Sequence, residues 1–258
     1  MITNFKKYKR FFAIGCSFTH YIWPTWADII AIEMPDVVYY NLGKSGLGNM
    51  GIVCKLSEAA ARYRFTEDDL LIIMWTTMCR EDRWIKDTWV SPGNIFTQST
   101  YDDDFVKKFA DPTGYLIRDM ALINTCNQFI KTLPCTTITL SSVPYDFQQD
   151  HNGTIVDYVL QLYSDVISST PTSMFELELE GKWDFGHSYM KLENQKLFND
   201  YHPAPIRYRS YLEKIGFPLT AVSHDYAKLS TTKLLRCKHE AEIYNTFKFN
   251  NRTYGHMF

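Results

Sequence analysis

Residues 70–75, Leu-Leu-Ile-Ile-Met-Trp, form an unbroken apolar run between the acidic turn Glu67-Asp68-Asp69 and the pair Thr76-Thr77. A run of strand length with no polar alternation is the pattern of a strand buried within a sheet. It constrains the fold because it has companions. Residues 11–14 are a second short apolar run, ending at Gly15, and residues 37–40 are a third, followed by the Gly-rich stretch 41–51. Residues 136–142 are β-branched and stop short of Pro144. Between these lie segments of helical character: 23–33, with Trp26, Ile29 and Ile30 at helical spacing and Pro24 suited to a first turn, then 52–63, 114–133, 156–167 and 204–215. The order strand, helix, strand, helix, strand, long insert, helix, strand, helix predicts an α/β chain with a parallel sheet covered by helices on both faces. Sites in such sheets form beyond the carboxyl ends of the strands.

A chain of 258 residues, 45% hydrophobic, is long enough for one sizeable core. Its net charge of −2 supplies no global field for nucleic acid or an anionic membrane. The basic group Lys228, Lys233, Arg236 and Lys238 reads as a solvated face, so no nucleic-acid partner is expected. No run approaches membrane-spanning length. The apolar stretch behind the basic residues 6–10 is too short for a signal-peptide core, so a cytoplasmic location is expected, or a host cytoplasm or virion if the chain is phage-encoded. The six cysteines are scattered, with neither a CxxC pair nor a zinc-type cluster, and read as reduced thiols. Aromatic residues make up 16% and serve either as core or as a stacking surface for sugars. Residues 78–113, with Trp84, Trp89 and Asp102-Asp103-Asp104, are either a lid or binding insert or a surface excursion with its own cluster. The chain thus divides into an α/β domain, 1–220, carrying that insert, and an extension, 221–258, that packs back on the domain or forms a homo-oligomer contact.

Four segments carry chemistry. In Gly15-Cys16-Ser17-Phe18-Thr19-His20, Ser17 falls at a strand end, in a turn expected to lead into a helix. There its hydroxyl would be accessible and its N–H would sit near helix-start donors, as a nucleophile requires; the alternative is that Ser17 only caps the helix. His20 lies about one helical turn on and is not taken as the base. The Gly-rich stretch from Asn41 through Gly46 and Gly48 to Asn49 presents backbone N–H groups, but it fits neither a phosphate loop nor a dinucleotide fingerprint. Trp75-Thr76-Thr77-Met78-Cys79-Arg80 offers hydroxyls after the buried strand. Asn199-Asp200-Tyr201-His202-Pro203-Ala204-Pro205 places an acid beside a histidine ahead of a proline-stiffened helix start.

Together, the strand-end Gly-x-Ser-x-Thr, the Gly-rich turn after the second strand and the Asp-x-His-Pro near the C-terminus resemble the SGNH, or GDSL-like, serine hydrolases. The resemblance spans roughly residues 10–217 and rests on three short blocks. It implies a flavodoxin-like three-layer α/β/α fold and ester hydrolysis without a metal or other cofactor. By the same resemblance Ser17 is the nucleophile, Gly46 lends its N–H to the oxyanion hole, and Asp200 with His202 form the acid–base pair. Three departures stand out. Cys16 replaces the usual acid of the first block, and Asp200 stands two rather than three positions before His202, where Asn199 takes the third. The asparagine of the third block is missing from Trp75-Thr76-Thr77-Met78, so Asn49 or Thr77 is expected to substitute. Losing one such donor costs about 10²–10³ in rate. The motifs also look like SGNH-type proteins of bacteriophages and environmental bacteria. The expected activity is a serine esterase acting on a small-molecule or carbohydrate ester, most simply an acetyl ester. The alternatives are an acyltransferase built on the same residues and a non-catalytic binding or structural protein that keeps the fold.

Overall fold

The computed structural model describes residues 4–97, 100–147, 149, 154–179, 202–247 and 253–254. The chain runs β1 (Arg10–Ile14), α1 (Trp26–Ile32), β2 (Val38–Asn41), α2 (Asn49–Tyr63) and β3 (Asp69–Trp75). The insert follows, with β4 (Arg83–Ile85), β5 (Thr88–Val90) and α3 (Asp103–Phe109). Then come α4 (Pro112–Ile130), β6 (Thr136–Ser141), α5 (Thr154–Leu162), α6 (Ser164–Ser169), α7 (Met174–Leu179) and α8 (Pro205–Lys214). The C-terminal part holds α9 (Ala221–Arg236), α10 (Glu240–Phe247) and β7 (Thr253–Tyr254).

The main sheet has the order β6-β3-β1-β2-β7, and every neighbouring pair is parallel. Reading β2-β1-β3-β6, this is the flavodoxin-like 2-1-3-4 order, whose switch point lies between β1 and β3. All seven residues of β3 are buried. Alternate side chains point to opposite faces, so each strand feeds two cores. Phe12, Ile14, Leu71, Ile73 and Trp75 pack with Ile52 and Leu56 of α2 and with Leu116, Met120 and Ile123 of α4. Phe11, Ala13, Leu70, Ile72 and Met74 pack with Trp26, Ile29 and Ile30 of α1, Tyr208, Tyr211 and Leu212 of α8, and Ala227 of α9. The result is a three-layer α/β/α sandwich.

Two local expectations are corrected. The helix anticipated over 156–167 breaks at Tyr163, which takes φ −104° and ψ 23° between α5 and α6. The second piece is rich in serine, and the Ser168 and Ser169 hydroxyls bond back to the Asp165 and Val166 carbonyls, a local competition that weakens helices. The helix expected directly after Ser17 is also missing, for reasons described below. All six cysteines are free thiols. Among the described residues no helix is long and apolar enough to cross a membrane.

At the amino ends of the central strands, Arg10 reaches Asp69 through two bonds, Nε to Oδ1 at 2.7 Å and Nη2 to Oδ2 at 2.6 Å. Burial would raise the Asp69 pKa, but Arg10 and the Thr66 N–H hold the carboxyl below the usual carboxylate range. Removing the guanidinium strands a buried charge. Arg10→Ala is therefore expected to destabilise the fold by about 3 kcal/mol, read as a drop in the urea midpoint at neutral pH.

Candidate active site

The turn after β1 is tight. The Thr19 and His20 N–H groups both donate to the Cys16 carbonyl, at 2.9 and 3.1 Å. No helix begins there. The chain stays in turns until Thr25, whose N–H donates to the Asp28 carboxylate at 2.7 Å. That pairing sets the first turn of α1 at Trp26, with Pro24 outside the helix. Ser17 thus sits on a turn at the carboxyl end of β1, 7% exposed, rather than at a helix start. The Thr19 carbonyl accepts from the Thr25 hydroxyl at 2.6 Å and from Asn41 Nδ2 at 2.9 Å, tying the turn to α1 and β2.

The Gly-rich turn after β2 lies alongside. The Lys44 N–H donates to the Gly15 carbonyl at 3.1 Å. Gly46 has φ +78°, and a Cβ there would stand 2.0 Å from the Ser91 carbonyl oxygen of the insert. Conformation and space both require glycine at this position. Two further N–H groups, of Gly48 and Gly51, donate to the buried Asp82 carboxylate at 3.0 and 2.8 Å. A carboxylate from the insert therefore caps α2, where the helix start favours negative charge. Lys44 Nζ donates to the Trp89 carbonyl at 2.7 Å, and burial lowers its pKa while Asp82 pulls it back up. Among the described residues, neither the Ser17 nor the Gly46 N–H has an acceptor, and the Ser17 hydroxyl makes no hydrogen bond.

At the end of β3, Asn49 does not take the place the sequence suggested for it. It is fully buried. Its Oδ1 accepts from the Thr76 N–H at 2.9 Å, and its Nδ2 donates to the Thr76 carbonyl at 3.1 Å and to Asp119 at 3.0 Å. Both donors are spent inside the protein, so Asn49 shapes the β3 loop and has none left for an oxyanion. The Thr77 hydroxyl accepts from Arg80 Nε at 2.9 Å, which leaves its own hydrogen to donate. Below the loop, Arg118 bonds to Asp119 at 2.7 Å and to the Arg80 carbonyl at 2.8 Å. Burial pushes the Asp119 carboxyl up to about 6, against the pull of Arg118 and Asn49.

The histidine arrives from the far end of the chain. The His202 ring stacks on Tyr21, centroids 3.7 Å apart and planes 19° apart, with Phe18 at 5.2 Å and Trp23 at 6.4 Å. Trp23 Nε1 donates to the Pro203 carbonyl at 2.8 Å. Trp23 and Ala204 in turn pack against Leu234, Cys237 and Ile243 of the C-terminal segment. The fold thus gathers the turns bearing Ser17 and Gly46 with His202 on one side of the sheet's carboxyl edge, and Thr77 lies in the loop just after the neighbouring strand β3. Asp200 and Asn199 lie outside the described residues. Tyr21, Trp23 and Asp82 are not marked by the sequence as parts of the site, and Asn41 enters there only as the start of the Gly-rich stretch. The aromatic cluster just after the Ser17 motif was a signal for the first two, whereas nothing local marks Asp82 as a cap for α2. Among the described residues no three His, Cys, Asp or Glu side chains converge as metal ligands.

No protein-family model matches the chain, and no curated protein matches it either. Among solved structures the chain is similar to a member of the lipolytic protein G-D-S-L family from Veillonella parvula, at 14% identity and a TM-score of 0.40 over 81% of this chain and 99% of that one. It is also similar to the psychrotrophic esterase EstA from Pseudoalteromonas sp., at 13% identity and 0.39 over 89% and 100%. A third is LAE5, an alpha/beta hydrolase from the metagenome of Lake Arreo in Spain, at 12% identity and 0.41 over 89% and 97%. Likeness this remote leaves the chemistry to be read from the residues.

The raised Asp119 pKa has a sign that titration reads directly. An unfolded aspartate titrates near 3.9, so between about pH 4 and pH 6 the native chain holds more protons here than the unfolded chain. Stability from this group falls as pH rises through that window and is level above it. The stability of wild type minus that of Asp119→Asn, from urea melts at several pH values, should decline from about pH 4 to about pH 6 and then flatten.

Proposed function

We propose that this chain is a serine ester hydrolase that works through an acyl-enzyme on Ser17. The observation that carries the reading is the seating of His202 on Tyr21 and Phe18, beside the turn that holds Ser17. A histidine brought from the opposite end of the sequence to a strand-end serine whose hydroxyl makes no hydrogen bond among the described residues is the arrangement that nucleophilic catalysis needs. The resemblance of the three sequence blocks to SGNH hydrolases points the same way.

In this reading His202 takes the Ser17 proton as Oγ attacks the ester carbonyl carbon. Asp200, two residues earlier, accepts from the other ring nitrogen and stabilises the imidazolium. The tetrahedral oxyanion is met by the N–H groups of Ser17 and Gly46, which have no other acceptor among the described residues. The Thr77 hydroxyl stands in for the missing asparagine. Collapse breaks the C–O bond to the alcohol, which leaves with the proton from His202. Water, deprotonated by His202, then attacks the acyl-enzyme and regenerates Ser17. Substrate brings the Ser17 hydroxyl and His202 into hydrogen-bond contact, since catalytic hydrogen bonds commonly tighten only in the complex. Asn49 is a positioning residue that acts through the β3 loop.

The test is hydrolysis of p-nitrophenyl acetate. Wild type should turn over, and Ser17→Ala and His202→Ala should each lower kcat by about 10³-fold or more. A fluorophosphonate probe should label wild type on the Ser17 peptide and fail to label Ser17→Ala. Full turnover by Ser17→Ala would sink the assignment.

A further inference from the structure

Strand β6 has a neighbour on one side only. It pairs with β3, and among the described residues the main sheet places no strand beyond it. The Ser142 N–H donates to the Trp75 carbonyl at 2.9 Å, so the even-numbered residues of β6 turn their backbone groups toward β3. Along a strand the N–H and C=O of successive residues alternate between the two sides. Those of Thr137 and Thr139 therefore face off the sheet edge, where no partner meets them among the described residues. A bare edge of this kind is a template for another strand.

The space beside the edge is already shaped. A groove of about 530 Å³ lies between α4 and α6, with Thr137 and Thr139 in its wall. Helix α4 lends it Asn124, Asn127, Gln128 and Lys131, spaced so that they share one helix face. Asn127 is 8% exposed, and its Oδ1 is buried without a hydrogen-bond partner. Buried amide oxygens are costly to leave in that state. Lys131 from the α4 side and Asp165 from α6 line the same groove as an exposed cation and an exposed anion, and neither side chain has a partner among the described residues.

We infer that this groove binds an extended peptide segment of a partner protein, which adds to the sheet as a strand beside β6. An extended chain presents N–H and C=O groups toward a neighbour at every second residue, about 6.6 Å apart, the spacing at which Thr137 and Thr139 present theirs. Its own amides suit the Asn127 side chain, which can accept and donate at once. One acidic and one basic side chain on the peptide answer Lys131 and Asp165. An acyl chain would leave all these polar groups unmet, and a simple anion would face Asp165. Backbone pairing supplies the affinity in such complexes and the flanking side chains supply the selectivity. The binding does not depend on the reading of Ser17 as nucleophile.

The probes are two capped peptides, acetyl-Glu-Val-Thr-Val-Lys-amide and its reversed sequence, titrated into the full chain and followed by NMR. The expected result is saturable binding of one of them, with hydrogen exchange of the Thr137 and Thr139 amides slowed in the complex. The binding peptide is then N-methylated at every second residue, in each of the two phases. One phase should abolish binding, because its methyl groups point at the β6 edge, and the other should leave it intact. Thr139→Pro, a substitution that edge strands tolerate, should weaken binding about fivefold, and Lys131→Glu about twofold at low salt. The two N-methylated peptides keep the test valid if Thr139→Pro fails to fold. Failure of both probes to bind, or equal binding of both N-methylated forms, would overturn the inference. So would amides at Thr137 and Thr139 that are protected before any peptide is added. Protection that grows with protein concentration, together with a dimer in sedimentation, would assign the edge to a second copy of the chain instead. Hydrolysis of p-nitrophenyl acetate, run in parallel, reports on the hydrolase reading alone.

Discussion

The carboxylate of Asp82 stands at the junction on which the rest of the site depends. It leaves β3 with the insert and returns to the start of α2, where it accepts from the Gly48 and Gly51 N–H groups. A charged acceptor at a helix N-terminus satisfies donors that the helix cannot satisfy itself. A Cβ at 48 or 51 would stand 2.7 or 2.9 Å from Asp82 Oδ2 and would push the carboxylate off these donors. One buried pairing therefore does three things. It starts α2, it shapes the Gly-rich turn that carries Gly46, and it draws the insert down onto that turn.

Polar residues beneath the strand ends complete the frame. Asn41 holds the Thr19 carbonyl from β2, and Asn49 holds both backbone groups of Thr76 from α2. Each side chain clamps the loop of a neighbouring strand. The loops of β1, β2 and β3 are thus referenced to one another by buried amides, which are expensive to leave unpaired and so define one arrangement. Asp119 and Arg118 extend the frame into α4. Loops held this way have their backbone groups fixed in place by the packed protein itself.

The layered fold was legible in the sequence because its signals are local and repetitive. The apolar runs at 11–14, 37–40 and 70–75 fall on β1, β2 and β3, and the helical segments fall on α1, α2, α4 and α8, with end shifts of a few residues. The turn after Ser17 was not legible. Pro24 looks like a first helical turn, but the Thr25–Asp28 pairing that begins at the next residue decides where α1 starts. The exchange of roles at Asn49 escaped for a related reason. An asparagine in a Gly-rich turn looks like a free donor, and only the packed structure shows that Thr76 and Asp119 have already taken it. Asp82 was invisible because its partners, Gly48 and Gly51, are distant in sequence and contribute only backbone.

The C-terminal segment is drawn into this logic by the aromatic cage. His202 is flanked by Tyr21, Phe18 and Trp23, and Trp23 is anchored both by its bond to the Pro203 carbonyl and by packing on Leu234 and Ile243. The plane of the imidazole is therefore set by ring stacking on residues of the Ser17 turn itself. Because the cage joins the segment right after Ser17 to helices near the end of the chain, α9 and α10 bear on His202 as well as on the core. A change at Leu234 or Ile243, far from the strand ends in sequence, reaches His202 through Trp23.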